Sequence, residues 1–243
     1  MANETEDALL NGRLRLRQAR EGYRAGMDAA LLAAACDAGP GARVLEAGCG
    51  AGAVLLAAAV RRPEVRFVGI ERDQEALALA GRNIALNGLE TRVSVGAGDV
   101  GAPPQQVGFD QVLANPPFFD SEKSLRGPAP AKRGAWIAEQ GLDAWINFLI
   151  GALREGGSAI IIHRADRLGD LLALLAPKAG SVQVRPVHPF ADAPAGRVLV
   201  RAVKAGRAPL KVLPALVLHP RQGAKHTPEA EAILRGEADL AWL

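Results

Sequence analysis

Between residues 42 and 115 one pattern recurs: a short apolar run, then an acidic or amide residue, then a turn. The runs are "ARVLEAG" (42–48), "VRFVGIE" (65–71), "RVSVGAGD" (92–99) and "FDQVLAN" (109–115). Between the first three lie "GAVLLAAAVRR" (52–62) and "DQEALALAGRNIALNG" (73–88), whose apolar spacing predicts helices. Asp73 can cap the second of these and Gly88 can stop it. Strands apolar enough to lose their alternation, with helices between them, are constrained to a parallel sheet covered on both faces. That arrangement places the carboxyl end of every strand on one edge, where doubly wound sheets bind ligands.

The same reading extends outward. "GRLRLRQ" (12–18) alternates with period two, which predicts a strand or hairpin with Leu14 and Leu16 inward. "MDAALLAAACDAG" (27–39) reads as a helix with Asp28 near its start. After a loop at 120–135 rich in Pro, Gly and charge, "LDAWINFLIGALREGG" (142–157) predicts an amphipathic helix stopped by glycine. "SAIIIHR" (158–164) is a strand, "RLGDLLALLAPKAG" (167–180) a helix, and "VQVRPV" and "GRVLVRAVK" are two strands without a helix between, hence antiparallel. Residues 1–40 form an N-terminal cap, 41–206 the central domain, and 207–243 a tail with one short helix capped by Thr227.

Composition removes several classes. Two cysteines, Cys36 and Cys49, cannot build a disulfide framework, and four scattered histidines show no metal-ligand spacing, so no metal is expected. No apolar run reaches the length of a membrane span, and the acidic start "MANETEDALL" lacks a basic leader, which makes the cytoplasm the default location. Net charge is only +3. Its distribution is uneven: Arg13, Arg15, Arg17, Arg20 and Arg24 face one acid, Glu21, in 11–24, and Lys123, Arg126, Lys132 and Arg133 crowd the loop at 121–135. Two such patches fit either a solvated surface or a polyanionic partner.

"VLEAGCGAGA" (44–53) is a strand ending in a glycine turn that opens a helix. Gly48, Gly50 and Gly52 let the backbone approach a ligand closely. Glu46 ends the first strand, Glu71 the second and Asp99 the third, so three carboxylates gather on the ligand-binding edge. Glu71 can accept both hydroxyls of a ribose. These features alone also fit a dinucleotide-binding dehydrogenase.

The end of the fourth run separates the two readings. "NPPF" (115–118) follows buried Val112 and Leu113 and sets an amide, two prolines and an aromatic where pairing must stop, in a chain with six Phe, three Trp and one Tyr. With the three upstream motifs it resembles the class I S-adenosylmethionine-dependent methyltransferases, in the branch whose fourth strand ends in (D/N/S)-P-P-(Y/F). The resemblance covers roughly residues 42–205. It implies a Rossmann-like α/β fold with a seven-stranded, mostly parallel sheet and helices on both faces. It implies S-adenosylmethionine as cofactor, with Glu46, Gly48, Gly50 and Gly52 on its methionine part, Glu71 on the ribose and Asp99 on the adenine. Cys49, Arg72, Val100 and Asn115 complete that set. Asn115, Pro116, Pro117 and Phe118 become the catalytic residues: two oxygen acceptors hold a planar nitrogen, prolines stiffen them, and Phe118 stacks on the target. Phe119 is read as a core residue.

The flanks resemble the bacterial tRNA1(Val) adenine-N6-methyltransferase family in "LRLRQAREGYRAGMDAALLAAA" (14–35) and "RQGAKHTPEAEAILRG" (221–236). This resemblance implies transfer to adenine N6 in the anticodon loop of a tRNA. Gly26 and Asp28 would border the cofactor or the substrate pocket, Tyr23 stacks on the base or fills the core, and Arg24, Lys123, Arg126, Lys132 and Arg133 would contact RNA phosphates. Phe118 stands where that family has Tyr, which keeps ribosomal RNA guanine-N2-methyltransferases in view. Glutamine-N5-methyltransferases of release factors share the motif. A cofactor-fold module that binds RNA without turnover is the alternative from outside enzymology.

Overall fold

In the computed structural model, which describes residues 4–20, 24–118 and 141–242, the glycine-punctuated apolar runs build one large sheet. Its centre is β3 (Arg43–Ala47), flanked by β4 (Arg66–Glu71) and then β5 (Val93–Ala97) on one side. On the other side come β6 (Phe109–Ala114), β7 (Leu153–Arg164), β9 (Arg197–Lys204) and β8 (Ala179–His188). Strands β3 to β7 run parallel, while β9 runs antiparallel to both β7 and β8. The seven expected strands are therefore present, with the expected antiparallel pair.

Both faces are covered. Helices α1 (Met27–Ala35) and α2 (Ala53–Arg61) pack with Val44, Leu113, Ile160, Ile162 and Leu199. On the opposite face, α4 (Leu142–Ala152) and α5 (Leu168–Leu175) pack with Leu45, Val112, Ala114 and Ile161. Adjacent strand residues such as Leu113 and Ala114 thus enter different cores, which is why these strands carry no polar face. Helix α3 (Gln74–Leu86) joins the first core through Ile84, and Asp73 caps it by accepting from the Glu75 and Ala76 N–H groups at 2.9 and 3.0 Å.

Strands β1 (Glu4–Leu9) and β2 (Leu14–Ala19) form a separate hairpin, with Leu14 and Leu16 fully buried as the alternation predicts. Two asparagines one turn apart, Asn83 on α3 and Asn87 just past its end, fasten it. Asn83, itself fully buried, accepts from the Arg17 N–H and donates to the Arg17 carbonyl, both at 2.9 Å. Asn87 does the same to Arg15 at 2.9 and 2.8 Å. The two carboxamides stand in for a neighbouring strand along the free edge of β2.

Two expectations need correction. The helix expected over 142–157 ends at Ala152, and Leu153 already pairs with Phe109 in the sheet. Gly156 has φ +74°, and a Cβ on Gly157 would lie 2.9 Å from the Phe109 carbonyl oxygen, so this glycine pair permits a tight strand approach rather than stopping a helix. The tail is also less separate than expected. Its β10 (Lys211–Val212) and β11 (Leu216–Val217) add to β8, and α6 (Pro228–Arg235) lies near α1. The guanidinium of Arg61, almost wholly buried, donates to the Ile233 and Ala238 carbonyls, and Trp242 Nε1 donates to the Ala35 carbonyl at 2.8 Å.

Candidate active site

Because β3, β4 and β6 are parallel, Glu46, Glu71 and Asn115 arrive at the same sheet edge, with Asp99 in the turn after β5. There they line a crevice of about 370 Å³. Its wall includes Glu46, Gly48, Cys49, Gly50, Glu71, Arg72, Asp99 and Val100, followed by Asn115, Pro116, Pro117 and Phe118. The glycine turn and the N-P-P-F segment, separated by more than sixty residues in sequence, face one space.

The turn takes its shape from glycine. Gly48, Gly50 and Gly52 have φ of +67°, +53° and +89°, a region that disfavours residues carrying a Cβ. A Cβ on Gly50 would meet nothing within 4 Å and would project into open space, whereas one on Gly48 would lie 2.6 Å from Trp145 Cη2. Glu71 braces the same turn: Oε2 accepts from the Gly50 N–H, and Oε1 from the Arg72 and Asp73 N–H groups, each at 2.9 Å. Three backbone donors orient that carboxylate while leaving it on the crevice wall. Asp99 accepts from the Gly101 N–H at 2.9 Å and is oriented in the same manner.

Glu46 differs. It is 3% exposed, and its buried Oε2 has no hydrogen-bond partner. Burial pushes its carboxyl well above the usual range, against a hydrogen bond from the Leu55 backbone, and the nearby Glu71 charge pushes it further. An orphaned carboxylate oxygen at the floor of a glycine-lined crevice fits a ligand bearing a cationic group. The residues present therefore fit S-adenosylmethionine, whose ammonium, ribose and adenine need such an acceptor, an oriented carboxylate and a further acidic group. Burial also raises the Cys49 thiol well above its normal range, so Cys49 lines the wall as a neutral side chain.

Not every expected residue lines the crevice. From the N-terminal segment, the wall is formed by Gln18, Ala25 and Ala29, not by Gly26 or Asp28. Asp28 instead accepts from Arg197 Nε at 2.9 Å. Arg24 is paired with Asp7 at 2.7 Å and donates to Thr5 Oγ1. Arg15 and Arg17 both reach Glu6, and Arg13 donates to the Gly236 carbonyl, so the acidic start supplies counter-ions for the arginine-rich strand. Tyr23, Lys123, Arg126, Lys132, Arg133 and Phe119 lie outside the described residues.

Gln18 and Trp145 line the crevice without having stood out in the sequence. Trp145 lay inside an amphipathic helix, where an aromatic reads as core. Gln18, 5% exposed, is the last inward position of the alternating strand, and a polar residue there was the available signal. It donates to Asp7 at 2.8 Å and accepts from the Ala25 N–H at 2.7 Å. Among the described residues, no group of three or more His, Cys, Asp or Glu could hold a metal ion. No described helix is long and apolar enough to cross a membrane.

Comparison with known proteins agrees with this geometry. The family described as methyltransferase small domain matches residues 24–127. A release factor glutamine methyltransferase of Gloeobacter violaceus is 31% identical over 167 residues, which span 64% of this chain and 57% of that protein. A tRNA1(Val) (adenine(37)-N6)-methyltransferase of Dyadobacter fermentans is 27% identical over 212 residues, spanning 86% of this chain and 87% of that one. Among solved structures, a predicted O-methyltransferase of Agrobacterium tumefaciens superposes with a TM-score of 0.74 at 26% identity, covering 88% of this chain and 99% of that chain. A Listeria monocytogenes protein described as a class I S-adenosylmethionine-dependent methyltransferase shares the fold, with a TM-score of 0.58 at 16% identity over 84% of this chain and 65% of the other. Residues 24–127 thus match the methyltransferase small domain, and the fold is that of the class I S-adenosylmethionine-dependent methyltransferases, with S-adenosylmethionine as the cofactor the crevice is built for.

Proposed function

We propose that the protein transfers a methyl group to an exocyclic amino nitrogen of RNA, adenine N6 of a tRNA anticodon loop. The observation that carries this reading is the shared crevice of Asn115–Phe118 and the glycine turn. When bound, S-adenosylmethionine supplies an activated methyl group; the chain's own residues position the acceptor. An exocyclic amino nitrogen shares its lone pair with the ring and is a weak nucleophile. Asn115 Oδ1 and the Pro116 carbonyl accept from its two N–H groups, drawing the nitrogen toward tetrahedral geometry and aiming its lone pair. Pro116, which is buried, and Pro117 hold these acceptors in place before the acceptor arrives. Phe118 stacks on the base, and transfer follows from proximity and orientation without a covalent enzyme intermediate.

The likeness to the tRNA1(Val) enzyme supports RNA because it runs through 86% of this chain, well beyond the matched domain at 24–127. Tyr23, Arg24 and the basic loop residues Lys123, Arg126, Lys132 and Arg133 belong to this proposal as RNA contacts. A glutamine amide is the second reading, favoured by the 31% identity to the release factor enzyme. The test is incubation with RNA, or with a glutamine-containing peptide, and labelled cofactor, followed by identification of the product. N6-methyladenosine supports the proposal, while N2-methylguanosine or methylglutamine replaces it. Asn115→Ala should slow transfer by about 10²–10³-fold with RNA binding retained, as for loss of one preorganised polar contact in a reaction centre.

A further inference from the structure

Phe118 does not stand alone in the crevice wall. The Arg197 guanidinium lies over its ring with Cζ 4.7 Å from the centroid, and the His163 ring meets it edge-on at 5.2 Å and 81°. Arg197 is held in turn by Asp28, in the first turn of α1, at 2.9 Å, and it donates to the Gly196 carbonyl at 3.1 Å. The ion pair is partly sheltered, with side chains 34% and 17% exposed. Arg164, cross-strand neighbour of Arg197, is engaged by Asp166. Strands β7 and β9 therefore meet at one aromatic ring, and α1 is tied to it through Arg197. They do so because β9 runs backwards: its first residue falls on the sheet edge where β6 and β7 end.

We propose that Arg197, clamped by Asp28, is a positioning residue that holds Phe118 as a rigid stacking wall and so restricts the acceptor to a planar heteroaromatic base. The inference rests on the functional reading above and deepens it. A guanidinium over an aromatic face is attracted by the ring quadrupole, and it fixes the ring's tilt. His163 adds a wall that does not compete as a cation, since burial lowers its pKa and keeps the imidazole neutral. A flat, fixed wall favours a flat ligand. A glutamine side chain has no ring and offers only its small planar carboxamide, so it gains less from such a wall than a base does. Asp28 also makes the N-terminal cap part of the acceptor site, although it does not line the crevice itself.

The test uses the full chain with Arg197→Ala, Arg197→Lys and Asp28→Asn. The substrates are an RNA stem-loop with an unpaired adenine and a glutamine-containing peptide. Phenylalanine is replaced by 4-fluorophenylalanine for ¹⁹F NMR, with the Phe118 signal assigned by Phe118→Leu. For Arg197→Ala we expect the KM for RNA to rise about 5- to 30-fold, with kcat nearly unchanged and cofactor affinity retained. Arg197→Lys, which keeps the charge but loses the plane, should fail to restore KM and carries the test if the alanine variant does not fold. Asp28→Asn should fall between. RNA methylation by the wild type with an unchanged KM in the Arg197 variants overturns the inference while leaving the functional reading intact. Methylation of the peptide alone overturns the functional reading and the restriction to bases with it. The fluorine signal then still tests the clamp: a displaced Phe118 resonance in both Arg197→Ala and Asp28→Asn supports it, and an unmoved one rejects it.

Discussion

Asn83 offers the sharpest test of how the cap is held to the cofactor fold. Its carboxamide makes three hydrogen bonds of 2.9 Å, from the Arg17 N–H, to the Arg17 carbonyl and to the Ala51 carbonyl. Asn83→Ala strands all three backbone groups in a part-buried place to which water has little access, Asn83 itself being 0% exposed. At about 1 kcal/mol each, the lower end for a stranded buried group, the loss is about 3 kcal/mol. For a chain of this size that corresponds to a Tm lower by roughly 6–12 °C. Asn87→Ala removes the matching pair of bonds at Arg15, where solvent can replace them, and should cost only about 0.5–1 kcal/mol. Calorimetry of both variants without cofactor reads the difference directly. Because Ala51 lies in the glycine turn, Asn83→Ala should also weaken cofactor binding. Equal Tm shifts in the two variants would refute the reasoning that burial, not bond count, sets the cost.

Glu46 should make the cofactor-free protein pH-sensitive. Folding raises its pKa, so its stabilising share is fully present below the unfolded value of about 4.5 and is lost as pH rises through the raised folded value. Unfolding temperature should therefore fall as pH rises above about 4.5, and Glu46→Gln should flatten that slope while weakening cofactor binding; parallel slopes in the two proteins would count against a buried, unpaired carboxyl. Trp145, set against Gly48, should change its fluorescence when cofactor enters, and Trp145→Phe should remove that change; a response surviving the substitution would place its source elsewhere. Gly50→Val sets a branched side chain at φ +53° facing the crevice and should abolish cofactor binding by equilibrium dialysis.

The parts of this molecule legible in its sequence are those that depend on neighbours along the chain. The apolar runs with helices between them specify a parallel sheet covered on both faces, and their ends mark its ligand-binding edge. The glycine turn and N-P-P-F carry their own stereochemistry, so where the strands end and the chain turns was available without coordinates. What misled was also local: the glycines at 156 and 157 read as a helix stop, yet they serve a strand whose partner, Phe109, lies elsewhere in the sequence.

The tertiary structure alone decided which side chains meet. The arginines of β2 suggested a free basic patch until the fold paired Arg15 and Arg17 with Glu6. Asn83 was one more residue of a helical pattern until packing set it against Arg17, 66 positions away. Asp28 and Arg197, 169 positions apart, meet because β9 reverses direction at the sheet edge. Local periodicity and turn chemistry are written into short stretches of chain, whereas charge pairing and the latching of elements depend on distances that exist only after the strands have been ordered.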